Sequence, residues 1–131
     1  MSNTSINISP LEDLRRAVVR LEDVLKLEKT DVVRDSAIKR FELCFDLAWK
    51  CIKAFARREG LECHSPRGCL KTALQLGLID NNADWLKMLD DRNLSVHAYR
   101  EKYANDIYGR LIGYIKLLSD LASKLVSSSR L

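Results

Sequence analysis

Proline and glycine are scarce in this 131-residue chain, two and five residues respectively, which argues against a turn-rich all-β domain. Long apolar runs are missing as well. No run of strictly hydrophobic residues exceeds three, and admitting Gly113 extends only residues 111–115 to five. A membrane-spanning helix needs about twenty, so no membrane contact is expected. The opening Met1-Ser2-Asn3-Thr4-Ser5 has no charged segment leading into an apolar stretch, so secretion is not expected. No Gly-rich loop is present to cradle the phosphates of ATP. What remains is 47% hydrophobic and 31% charged, the balance of a soluble globular protein, in a length that suits one domain with a real core. A small, cytoplasmic, helical protein is the expectation.

Charge of one sign is only slightly in excess, 22 Lys and Arg against 18 Asp and Glu. That is mild for a nucleic-acid binder, but its distribution is uneven. Between Arg34 and Lys71 nine basic residues face five acidic ones, whereas Asp80 to Asp106 holds four basic and six acidic. If nucleic acid binds, the second helix and the segment after it supply the attraction. Of the four cysteines, Cys44 and Cys51 share a helical face but lie about 10 Å apart along it, too far to bridge. Cys63, His64 and Cys69 match no standard zinc spacing and lack a fourth ligand, so no metal is expected. Reduced thiols in a reducing compartment are the expected state.

Apolar residues recur with helical period. Ser9-Pro10-Leu11-Glu12 reads as a capped helix start with a capping box, followed by Leu11, Leu14, Val18, Leu21 and Leu25 up to about Lys29. A second helix is expected from about Val32 to Glu59, with Ile38, Phe41, Phe45, Ala48, Ile52 and Phe55 inward and Gly60 as its left-handed terminus. Ser65-Pro66 opens a short third helix carrying Leu70, Ala73 and Leu74, ended by Gly77. Asp80-Asn81-Asn82 offers caps for a fourth, holding Trp85, Met88 and Leu89. The last, from about Glu101, aligns Ile107, Leu111, Ile115, Leu118, Leu121 and Leu125, and its Tyr103, Tyr108 and Tyr114 are assigned to packing. The expected architecture is an all-α, antiparallel up-down bundle of four main helices plus a short one. One domain spans residues 9–126, between flexible segments 1–8 and 127–131.

Chemistry is concentrated in Asp90-Asp91-Arg92-Asn93-Leu94-Ser95-Val96-His97-Ala98-Tyr99. On a continuous helix Arg92 and Tyr99 nearly eclipse, and Asn93 and His97 share an adjacent face. Asp90 and Asp91 would stand beside Arg92, holding its guanidinium or repelling a polyanion. Ser95 is too generic to assign, and His64 reads as an exposed loop residue.

Arg92-x4-His97-x-Tyr99 resembles the R-x4–6-H signature of the HEPN superfamily in its R-x4-H-x-Y form, and Asn93 fits the polar residue after the arginine. Residues 40–42 and 45–50 resemble the second-helix block of nucleotidyltransferase substrate-binding subunits. Ser65-Pro66-Arg67, Gly77-Leu78-Ile79 and residues 85–93 resemble its later blocks in order. The resemblance implies a HEPN bundle, usually dimeric, acting with a separate minimal nucleotidyltransferase (MNT). In one reading it is the metal-independent endoribonuclease toxin of a type VII-like toxin–antitoxin pair, silenced when the MNT antitoxin transfers AMP to Tyr99. In the other it is a non-catalytic substrate-binding subunit of a two-component nucleotidyltransferase. A helical adaptor without chemistry is a third reading, and would tolerate loss of Arg92.

The toxin reading assigns roles residue by residue. Arg92 would clamp phosphate, His97 would act as general acid or base, and Asn93 would orient one of them. No cofactor is implied. Cleavage needs two proton-transfer groups but one chain supplies one His97, so a homodimer with the motif at its interface is expected, with RNA as substrate.

Overall fold

The computed structural model describes residues 9–129, and the flexible segment expected at 1–8 lies outside them. Among the described residues there are five α-helices and no strand: α1 (Pro10–Leu25), α2 (Asp31–Arg58), α3 (Pro66–Gln75), α4 (Asn82–Leu94) and α5 (Glu101–Ser129). A 3-10 turn at Ser95–His97 follows α4. No helix among these residues is long and apolar enough to cross a membrane.

Local chemistry sets the helix ends. The Ser9, Thr30, Ser65 and Asn81 side chains accept hydrogen bonds from the first-turn amides of α1, α2, α3 and α4. The capping box expected at α1 does not form, because the Glu12 carboxylate turns outward to Arg16 at 3.3 Å. Helix α1 ends at Leu25, short of Lys29, because Thr30 is already the cap of α2. Gly60 and Gly77 have φ of 80° and 75°, the left-handed conformation that only glycine adopts without strain. In each case the following amide closes the helix, Leu61 onto the Ala56 carbonyl and Leu78 onto that of Ala73. At the other end, α5 continues to Ser129, into the segment expected to be loose. Adding a residue to a formed helix costs little, and no Gly or Pro interrupts it there.

The core is a three-helix packing of α1, α2 and α5, with α3 and α4 closing one side. Leu14, Leu21, Phe41, Phe45, Ile52, Leu111, Leu118 and Leu121 are essentially sealed from water. At about 25 cal/mol per Å2 of apolar surface removed, each contributes roughly 1.5–3 kcal/mol to folding. The up-down course makes α2 and α5 run in the same direction, so Phe41 stacks on Tyr114 at 5.5 Å between ring centres. Arg34, near the start of α2 and only 6% exposed, meets Asp35 at 3.0 Å, Glu101 at 3.6 Å and Asn105 at 3.2 Å. That cluster ties the first turns of α5 to α2, and so fixes where the chain re-enters the bundle after Tyr99.

The cysteine expectation is corrected in one pair. Cys63 and Cys69 form a disulfide, their Cα atoms 5.0 Å apart, because the extended approach to Ser65 folds back onto the first turn of α3. Helical spacing along one element gave no view of a bridge between a connection and the next helix. Cys44 and Cys51 are free and buried, and burial pushes each thiol up to about 12. With a disulfide present, cysteine usage no longer argues for a reducing compartment.

Candidate functional site

The site is assembled where α4 ends against the middle of α2. Trp85, Met88 and Leu89 bury one face of α4, which leaves the next turn, with Arg92, leaning on α2. The Arg92 guanidinium donates to both oxygens of Asp46, Nε to Oδ1 and Nη2 to Oδ2, each at 3.0 Å. Its Nη1 donates to Ser95 Oγ at 3.3 Å and lies 3.6 Å from Glu42. The buried Ser95 hydroxyl in turn reaches the Glu42 carboxylate and the Arg92 carbonyl oxygen, with one proton to give. Hydrogen bonding to Asp46 holds the Arg92 guanidinium above its ordinary pKa, against the opposing effect of burial, with Glu42 adding to it. Two carboxylates thus face one guanidinium, and the Lys39 ammonium 3.5 Å from Glu42 balances the second.

Sequence reasoning missed this acidic pair and set Asp90 and Asp91 beside Arg92, either to hold its guanidinium or to repel a polyanion. Asp90 is exposed, while Asp91 points the other way and is 1% exposed. It accepts from Arg110 Nε at 2.7 Å and Nη2 at 2.8 Å, and from the Tyr114 hydroxyl. Consecutive helical residues project about 100° apart, so Asp91 and Arg92 necessarily serve different neighbours. Asp91 holds Arg110 above its ordinary pKa, and burial together with the Asp91 hydrogen bond raises Tyr114. A usable signal for the missed pair was present: Glu42 and Asp46 are four apart, hence on one face, in a helix otherwise rich in basic residues.

An open groove of about 410 Å3 lies beside Arg92, lined by Phe45, Asp46, Trp49, Lys50, Pro66 and Asn93 among others. Arg92 and Asn93 border it, and His97 and Tyr99 do not. The continuous helix assumed for the motif stops at Leu94, and the tighter 3-10 turn then changes the register that would have aligned Arg92 with Tyr99. His97 and Tyr99 instead form their own exposed pair, ring centres 6.1 Å apart and edge-on. Tyr99 is 77% exposed, Val96 beside it 63%, and Leu43 on α2 53%. The Arg100 guanidinium lies 6.0 Å from the centre of the Tyr99 ring. The four candidate residues therefore come as two pairs, Arg92 with Asn93 in the groove and His97 with Tyr99 on the turn. No group of three or more His, Cys, Asp and Glu side chains among the described residues is arranged to hold a metal ion.

Known proteins share this fold and much of this length. The chain is 38% identical to a Thermus thermophilus protein of known structure, with a TM-score of 0.81 over 86% of this chain and 98% of that one. A Haemophilus influenzae structure, described as revealing the fold of a substrate binding domain of a nucleotidyltransferase, superposes with a TM-score of 0.79 at 23% identity. It covers 88% of this chain and 98% of its own. A Haemophilus influenzae protein named "Probable ribonuclease HepT" is 24% identical over 95% of either chain. The family model for nucleotidyltransferase substrate binding protein like sequences matches residues 9–127, nearly the whole domain. This all-helical chain, with its HEPN-type motif, belongs to the nucleotidyltransferase substrate binding protein like family.

Proposed function

We propose that the protein is a metal-independent endoribonuclease of the HEPN type, the toxin of a pair whose antitoxin is a minimal nucleotidyltransferase. The observation that carries this reading is the placement of His97 and Tyr99 together on an exposed turn that follows Arg92. In cleavage the RNA 2′-hydroxyl oxygen attacks the adjacent phosphorus and the 5′-oxygen leaves. One group takes the 2′-hydroxyl proton, another protonates the departing oxygen, and the products are a 2′,3′-cyclic phosphate and a 5′-hydroxyl. Imidazole serves either proton role near neutrality, and a two-fold pairing of the motif face supplies the second His97. The exposed apolar side chains of Leu43, Val96 and Tyr99 around the motif suit that pairing.

Arg92 enters with most of its donors committed to Asp46, Ser95 and Glu42. A phosphate therefore takes the remaining Nη2 N–H or displaces Asp46, and Asn93 at the groove edge adds a neutral donor. The accessible Tyr99 hydroxyl is the acceptor of AMP in this reading. Its oxygen attacks the α-phosphorus of ATP bound to the antitoxin, pyrophosphate leaves, and the phenolic proton passes to solvent or a base. The added phosphate and nucleoside then oppose RNA beside His97 by charge and by bulk. The second reading, a substrate-presenting subunit without catalysis, is favoured by the engagement of Arg92 with two carboxylates.

The test uses purified protein shown by mass to be unmodified, mixed with total cellular RNA in excess EDTA, beside His97→Ala. Cleavage that persists in EDTA, leaves cyclic phosphate ends and disappears in the variant is expected. An intact RNA pool with the folded, unmodified protein overturns the ribonuclease and puts the presenting subunit in its place.

A further inference from the structure

Helix α5 carries Gly109 and Gly113 in its middle turns, both exposed, and a β-carbon built at either meets nothing within 4 Å. Neither has the positive φ that requires glycine. Glycine weakens a helix interior relative to alanine, so two of them one turn apart are a cost the protomer itself does not explain. Steps of four and three residues place Lys102, Asp106, Gly109, Gly113, Lys116 and Asp120 along one stripe of the helix. The four charged side chains of that stripe are exposed, by 80%, 46%, 79% and 58% in that order.

This stripe is self-complementary. A two-fold axis passing outside α5 beside this stripe, level with Leu111 along the helix, puts Lys102 opposite Asp120 of a second copy, Asp106 opposite Lys116, and Gly109 opposite Gly113. We propose that this face of α5 is a self-association surface, on which a second copy of this chain lays its own α5 antiparallel with the glycines at the crossing. An isologous contact requires self-complementarity of this kind. Glycine at the crossing lets the two backbones approach closely. Ile112, 74% exposed, flanks the stripe, and the two-fold brings it and its copy to the same side of the crossing. Within the protomer the pairs Lys102–Asp106 at 3.3 Å and Lys116–Asp120 at 3.4 Å have lysine N-terminal to aspartate, the weaker order on a helix. A second copy gives each of these charges a further opposite partner.

None of the stripe residues borders the Arg92 groove, so the surface is separate from the motif and does not depend on its chemistry. A chain using this two-fold together with one at the motif assembles beyond a dimer.

Zero-length carbodiimide coupling joins a lysine amine to a carboxylate it touches. Lys102 and Asp120 are eighteen residues apart on α5. That separation is about 27 Å along the axis, so a Lys102–Asp120 cross-link must join two copies. Full-length protein at micromolar concentration is expected to yield Lys102–Asp120 and Asp106–Lys116 cross-links by mass spectrometry. In Gly109→Leu/Gly113→Leu, which overpacks the crossing, both fall about tenfold or more. That variant keeps or raises its unfolding temperature, because a β-carbon at either position meets nothing in the protomer and leucine is a far stronger helix former than glycine. Lys116→Asp alone also loses the Lys102–Asp120 cross-link, and adding Asp106→Lys restores it. Absence of the cross-links in the wild-type protein, their persistence in the leucine variant, or failure of the charge swap to restore them overturns the proposal.

Discussion

Removing either partner of the Asp91–Arg110 pair breaks the same two hydrogen bonds, yet the structure makes the two truncations unequal. Asp91 has 1% of its side chain exposed, whereas Arg110 has 35%. After Asp91→Ala the guanidinium turns to water, and the buried loss is chiefly the Tyr114 hydroxyl left without its acceptor. An unsatisfied buried hydroxyl costs about 1–3 kcal/mol. After Arg110→Ala a carboxylate stays buried with only the Tyr114 hydroxyl to answer its charge. Orphaning a buried charge costs about 3–5 kcal/mol. Arg110→Ala is therefore expected to be the more destabilising by roughly 2 kcal/mol. Urea unfolding followed by circular dichroism at 222 nm, with the fluorescence of Trp49 and Trp85 as a second probe of two-state behaviour, measures both. An equal cost, or a larger one for Asp91→Ala, would refute the argument that exposure of the survivor sets the penalty.

Four further outcomes are expected from the geometry. Asp46→Asn removes one of the two carboxylates engaging Arg92, so under the proposed ribonuclease reading RNA affinity should rise several-fold with a steeper salt dependence; unchanged affinity in filter binding would show that phosphate does not meet Arg92. Cys44 and Cys51, their thiols pushed up to about 12, should resist alkylation at pH 8 until the protein is unfolded. Because their folded values lie above the ordinary 9.0, the stability they contribute is complete below about pH 9 and declines above it, which alkaline unfolding curves would register. Gly60→Ala, at φ 80°, should lose about 1–2 kcal/mol, whereas Gly109→Ala should gain up to about 1, a contrast readable in thermal melts.

Much of the fold was legible because its causes are local. The heptad-like recurrence of Leu14, Val18 and Leu21, the Ser9 and Ser65 caps before proline, and the glycines at positions 60 and 77 each act within a turn or two. The all-helical class, the number of helices and most of their ends come from such signals, as does membership in a family recognised by the ordered blocks around Arg92. Partners that lie far apart in sequence were not legible. Nothing in the stretch from Asp90 to Tyr99 says that Arg92 will be taken by Asp46, 46 residues away, or Asp91 by Arg110. Nor did it show that a 3-10 turn at Ser95 would separate His97 and Tyr99 from the groove. The Cys63–Cys69 bridge likewise depends on how a connection folds onto the next helix. Periodicity and capping chemistry, carried in the sequence, determined which residues become helix and which face inward. Ion pairing and the orientation of neighbouring helices form only when the chain closes in three dimensions, and these decided which charges are neutralised and which side chains stand free.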